Sequence, residues 1–176
     1  MNKLFVLLAL IIGLAACTSG EQREQLSRVN ELNQTLDTVK EIYHSQDSVS
    51  ISQLFHRAQK NSELLDQVPA EHQNQELIQA SRNAERVYRR YLANYDRLKD
   101  ELNYSYEQLE NLESDIRSEH IEPEMFPHII REEEKAVKRL HENLVYIVEE
   151  IEKENKSADS LQNEIKNHLD GFELFE

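Results

Sequence analysis

His120, Glu122, Glu124 and His128 put four side chains able to ligate a divalent metal within nine residues. Imidazole and carboxylate suit zinc and its neighbours. Pro123 and Pro127 stand between and beside them. Each fixes its own backbone angle and restricts the residue before it, so the four side chains are not free to converge on one ion. A structural turn is the expectation, with no metal ligands assigned. His141-Glu142 opens no H-E-x-x-H motif, because position 145 is valine, and the paired Glu-x-x-His of di-iron bundles is missing. A metal-dependent enzyme or binder built on this turn is the least favoured reading. The chain has three glycines, too few for the glycine-rich loops that cradle phosphates. No catalytic residue and no cofactor are assigned.

Two further groups could contact a ligand. Tyr88, Tyr91 and Tyr95 could line an inter-helix groove for a small ligand or lipid. Their spacing also fits a helical seam, where the ring packs and the hydroxyl reaches the rim. Arg86, Arg89, Arg90 and Arg97 form a locally basic strip able to hold a carboxylate or phosphate. Glu85, Asp96, Asp100 and Glu101 are close enough in sequence to neutralise it as surface pairs. Packing and pairing are the expected roles of both groups.

The elements that position these residues follow from periodicity. Leu26, Val29, Leu32, Leu36, Val39, Ile42 and Tyr43 mark an amphipathic helix over about residues 22–45. After the polar stretch 45–48, with Asp47 or Ser48 as cap, a second stripe runs from Ile51 to Val68. These stripes make either two helices or one bent helix. Pro69 is expected to open a helix reaching about His120. Along it two seven-residue series interleave: Leu77, Ala84, Tyr91, Leu98, Ser105, Leu112, and Ser81, Tyr88, Tyr95, Leu102, Leu109, Ile116. The prolines of 121–127 are expected to end that helix and start the next. The last helix repeats as Ile130, Val137, Leu144, Ile151, Ala158, Ile165, beside Leu140, Ile147, Glu154, Leu161, His168. The seam falters at Ser105, Glu154 and His168. Gly171 is expected to cap the last helix, with Phe172 folding back on its final turn. Strand patterns are missing. The fold expected is all-α: an elongated, antiparallel, coiled-coil-like bundle of three legs and about four helices.

Composition narrows the setting. The formal charge of −14 makes nucleic acid a poor partner. Met1-Asn2-Lys3, the apolar run Leu4–Leu14 and the small residues Ala15-Ala16 follow the order of a secretory signal. The run is about half the length that a membrane-spanning helix needs. Cleavage before Cys17 removes Lys3 and leaves a charge of −15 and a mature chain of 160 residues. Cys17 is the one cysteine of the sequence, so the mature part has no internal disulfide.

Leu14-Ala15-Ala16-Cys17 resembles the lipobox of bacterial lipoproteins. That resemblance implies a signal peptide over 1–16, a lipidated Cys17 with a tether over 17–24, and one helical domain over 25–176. Residues 106–116, the proline turn and Glu132-Glu133-Glu134-Lys135-Ala136-Val137 resemble helical lipoproteins of Bacteroidetes-type bacteria, a resemblance that brings no known activity with it. By the same similarity, Asp37-Thr38-Val39, Asp47-Ser48-Val49 and Asp159-Ser160-Leu161 look like O-glycosylation sites. Thr18, standing where an aspartate would retain enteric lipoproteins in the inner membrane, favours the periplasmic face of the outer membrane. The inner membrane and the cell surface stay open. The expectation is a monomeric, lipid-anchored envelope protein without enzymatic activity, binding the membrane through Cys17 and an envelope protein through its helices.

Overall fold

The computed structural model describes residues 20–172. Four long helices make the fold: α1 (Gly20–His44), α2 (Ser48–Gln67), α3 (Gln75–Arg117) and α4 (Phe126–Leu169). Single 3₁₀ turns occupy Ala70–His72 and Asp170–Phe172, and no strand occurs among the described residues. The chain is an all-α helical bundle. The expected signal and Cys17 lie outside the described residues. α1 begins at Gly20, so residues 20–24, expected as tether, are helical.

Each junction has a local cause. Between α1 and α2 the chain breaks, giving two helices. Asp47 leaves the helical region (φ −83°, ψ 99°) and its carboxylate accepts from the Val49 amide at 3.0 Å and the Ser50 hydroxyl at 2.6 Å. These bonds, the one from Ser50 foremost, hold the Asp47 carboxyl below its ordinary range.

Pro69 forces Val68 to extend (ψ 133°), but it opens only the 3₁₀ turn. Asn74 is the true start signal, its side chain accepting from the Glu76 and Leu77 amides at 3.1 and 3.3 Å. α3 therefore has 43 residues, about 65 Å at 1.5 Å per residue, rather than the fifty expected.

Nor does Pro123 end α3. Glu119 turns left-handed (φ 55°), the His120 amide reaches back to Asp115 O at 2.9 Å and the Glu119 amide to Ile116 O at 3.2 Å. These two bonds form a Schellman cap, usually built on glycine. Pro127 sits in the first turn of α4, where its missing N–H costs nothing. At the other end, no described glycine has a positive φ. Gly171 is thus not the left-handed cap expected. α4 instead tightens into a 3₁₀ turn that lays Phe172 edge-on to His168, with ring centres 5.6 Å apart.

α3 and α4 form the antiparallel hairpin, and α1 followed by α2 is the third leg. The Gln22 amide donates to Ile116 O at 2.8 Å, while Arg82 bonds Asp66 at 2.9 Å. The leg thus starts beside the 118–125 turn and runs antiparallel to α3, parallel to α4. α1 packs on both long helices; α2 lies along α3 and meets α4 sparsely.

Every member of the first α3 series is buried, Ser105 included, and so is the second apart from half-buried Tyr95. In α4, Ile130, Val137, Leu144, Ile151 and Ile165 are buried, with Ala158 half-buried. The core is split. A large cluster runs from Val29 to Ile151, and a small distal one joins Leu65, Val68, Leu77, Ile78, Ile165 and Leu169.

Candidate functional site

The seven-residue spacing carries Tyr88 and Tyr91 onto the inner face of α3, where both are buried. Tyr95, one turn further, is half-buried. Its ring stacks on Tyr43 of α1 at 4.9 Å and leans on Tyr91 at 5.5 Å. The aromatic group is therefore Tyr43, Tyr91 and Tyr95, gathered under the α1–α2 break. The hydroxyls of Tyr43 and Tyr91 are buried without a hydrogen-bond partner. Tyr88 points the other way and donates to Asn155 Oδ1 at 3.1 Å. Burial raises the pKa of all three buried phenols, that of Tyr88 to about 12. The place of Tyr43 at the end of the first apolar stripe was visible in the sequence, but not its register against Tyr95.

Below the aromatic group lies a layer of polar contacts between the two core clusters. The Ser62 and Ser81 hydroxyls meet at 3.0 Å, and Ser81 also donates to Ala58 O at 3.0 Å. Asn61 donates to Gln162 at 2.8 Å. Glu154 and Asn155 lie about two turns nearer the aromatic group, where Asn155 meets Tyr88. Burial raises the Glu154 carboxyl above its ordinary range; Glu150 reinforces the shift, while Lys153 and Arg86 oppose it. This is where the α4 seam was expected to falter.

The arginine strip is divided between two sides of α3. Arg89 pairs with Glu85 and lies over the Phe55 ring of α2 at 5.9 Å. Arg90 crosses to α4, bonding Glu150 at 2.6 Å and the Tyr146 hydroxyl at 3.2 Å. Arg97 pairs with Glu101 at 2.5 Å, and Arg86 bonds Asn83 at 3.3 Å. Local acids thus answer part of the strip, as expected. The link to Glu150, sixty residues away, could not be read from spacing along one helix.

At the turn, His120 faces Asp115 at 4.0 Å, and Glu122, Glu124 and His128 are exposed. Among the described residues no group of three or more His, Cys, Asp or Glu is placed to hold a metal. Glu132 and Glu134, of the acidic triplet beyond the turn, pair with Lys135 and with Arg28 of α1. Burial raises the Glu133 carboxyl, and Glu132 adds to the shift.

Small side chains leave one further feature. Ser105 of α3 and Ala136 of α4 face an open notch of about 340 Å³, flanked by Tyr104, Arg139 and Asn143 with Leu140 beneath. Tyr104 is 61% exposed, so the weak seam position at Ser105 coincides with an accessible aromatic ring.

No family model matches this chain, and the comparisons with curated proteins and with solved structures find no similar protein. No helix among the described residues is long and apolar enough to cross a membrane.

Proposed function

We propose that this chain is a lipid-anchored envelope protein, a non-enzymatic helical spacer or scaffold that presents a partner-binding surface away from the membrane. The observation that carries the reading is where α1 begins. Gly20 stands at the turn end of the bundle, with Gln22 bonded to Ile116 at the close of α3. Three peptide units separate Cys17 from Gly20, a reach of about 11 Å at most. An acyl group on Cys17 therefore holds the turn end near the bilayer. The 68–74 connection then stands at the far end of helices about 65 Å long. Stable anchoring usually needs more than one acyl chain, which the lipobox resemblance implies. The same resemblance favours the periplasmic face of the outer membrane. The chain's charge of −14 argues against electrostatic attachment to anionic lipid, leaving the acyl chains to do the holding. A partner would read the accessible flank of the α3–α4 hairpin around Tyr104.

The test is Cys17→Ser in the full chain. Loss of the protein from the membrane fraction is the expected result. A variant that stays with membranes through high salt and carbonate washing would show that lipid on Cys17 is not the anchor.

A further inference from the structure

We propose that α2 is a displaceable leg: it separates from α3 and α4 as a unit while α1, α3 and α4 stay packed, uncovering the distal half of the hairpin seam. The inference assumes neither lipid anchoring nor the scaffold role.

Both ends of α2 are already free of helical continuity. Residues 45–47 break it from α1, and residues 68–74 join it to α3 through an extended residue and a single 3₁₀ turn. A rigid-body departure therefore needs dihedral changes only in these two links.

The inner face of α2 is also the most polar of the four. Its buried residues are Ile51, Ala58, Asn61, Ser62 and Leu65, whereas those of α1 are Val29, Leu36, Val39 and Tyr43. Ser62 and Asn61 find Ser81 and Gln162 as partners, and water replaces such bonds when the helix lifts. Apolar side chains have no such replacement. Ser81 also donates to Ala58 O at 3.0 Å and Arg89 lies over the Phe55 ring at 5.9 Å, while Arg57 to Asp159 at 3.8 Å and Arg82 to Asp66 at 2.9 Å are exposed pairs of small worth.

The core is divided along α2. Leu65 and Val68 belong to the small distal cluster with Leu77 and Ile165, while Ile51 and Ala58 belong to the large cluster that holds α1. Release of α2 breaks the distal cluster and withdraws only Ile51 and Ala58 from the large one, whose other buried members belong to α1, α3 and α4. Opening uncovers Leu77, Ser81, Ala84, Tyr88 and Ile165, all buried in the closed bundle.

Hydrogen exchange on the full chain carrying Cys17→Ser tests this. Amides of α2 are expected to exchange at least ten-fold faster than the buried-stripe amides of α1. Leu65→Ala should speed α2 further and leave α1 unchanged. The Ser62 and Ser81 hydroxyls, 3.0 Å apart, also place their side chains for a cross-link. In Ser62→Cys/Ser81→Cys the oxidised bond should slow α2 to the rate of α1, and reduction should restore the difference. One common rate for α1 and α2, or Leu65→Ala speeding all four helices alike, would overturn the proposal.

Discussion

At the scale of single residues, the two buried tyrosines of α3 separate hydroxyl from ring. Both rings fill the seam, but Tyr88 donates to Asn155 and Tyr91 donates to nothing. A buried hydroxyl without a partner costs about 1–3 kcal/mol, while a satisfied one contributes about 1 kcal/mol. Tyr91→Phe is therefore expected to stabilise the bundle by about 1 kcal/mol, and Tyr88→Phe to destabilise it by a similar amount. Denaturant midpoints of the two variants check the opposite signs. Equal effects would mean that the hydroxyls do not differ in the way their surroundings indicate. The burial of both rings was legible in the heptad. The contrast between them was not, because it depends on which α4 residue faces each hydroxyl.

Individual helices show what periodicity can and cannot locate. The apolar stripes mark the inner faces, and the polar stretch 45–48 marks a real break. Helix ends were read less well where proline competed with a subtler signal. Asn74 overrides Pro69 through its side-chain cap, and left-handed Glu119 stops α3 before Pro123 can act. A glutamate gives no hint of a left-handed cap, since that conformation disfavours its Cβ. The faltering of α4 at Glu154 was visible and has a consequence in pH. Burial raises this carboxyl, so folding favours its protonated form. The stabilisation is fully present below the ordinary carboxylate range and lost as pH rises through the raised value. Glu154→Gln should therefore be more stable than the parent at pH 7, with the gap closing as pH falls to about 4.5. Urea titrations of both proteins at the two pH values decide it. A gap that stays constant would place Glu154 in ordinary solvent.

For the molecule as a whole, the layout of three legs followed from stripe lengths and the short 118–125 turn. The pairing of Arg28 with Glu134 and of Tyr106 with Asp37 did not, since contacts between distant segments leave no trace in one helix's spacing. Because α1 and α2 cover the hairpin from within the same chain, the Cys17→Ser protein is expected to be an elongated monomer. Light scattering and small-angle X-ray scattering should give the monomer mass and a longest dimension near the roughly 65 Å helix length. A concentration-independent dimer would mean that a second copy completes the hairpin. Finally, Gly20 and Phe172 lie at opposite ends of the rod, because α1 starts beside the 118–125 turn while α4 finishes beside the 68–74 connection. Tension between those two residues runs along the helix axes. It drags α1 lengthwise past its neighbours, loading many side-chain contacts at once in shear. Tension between Gly20 and the 118–125 turn acts on two points at the same end and peels the first leg away contact by contact. The same bundle thus resists stretching far better than it resists unzipping.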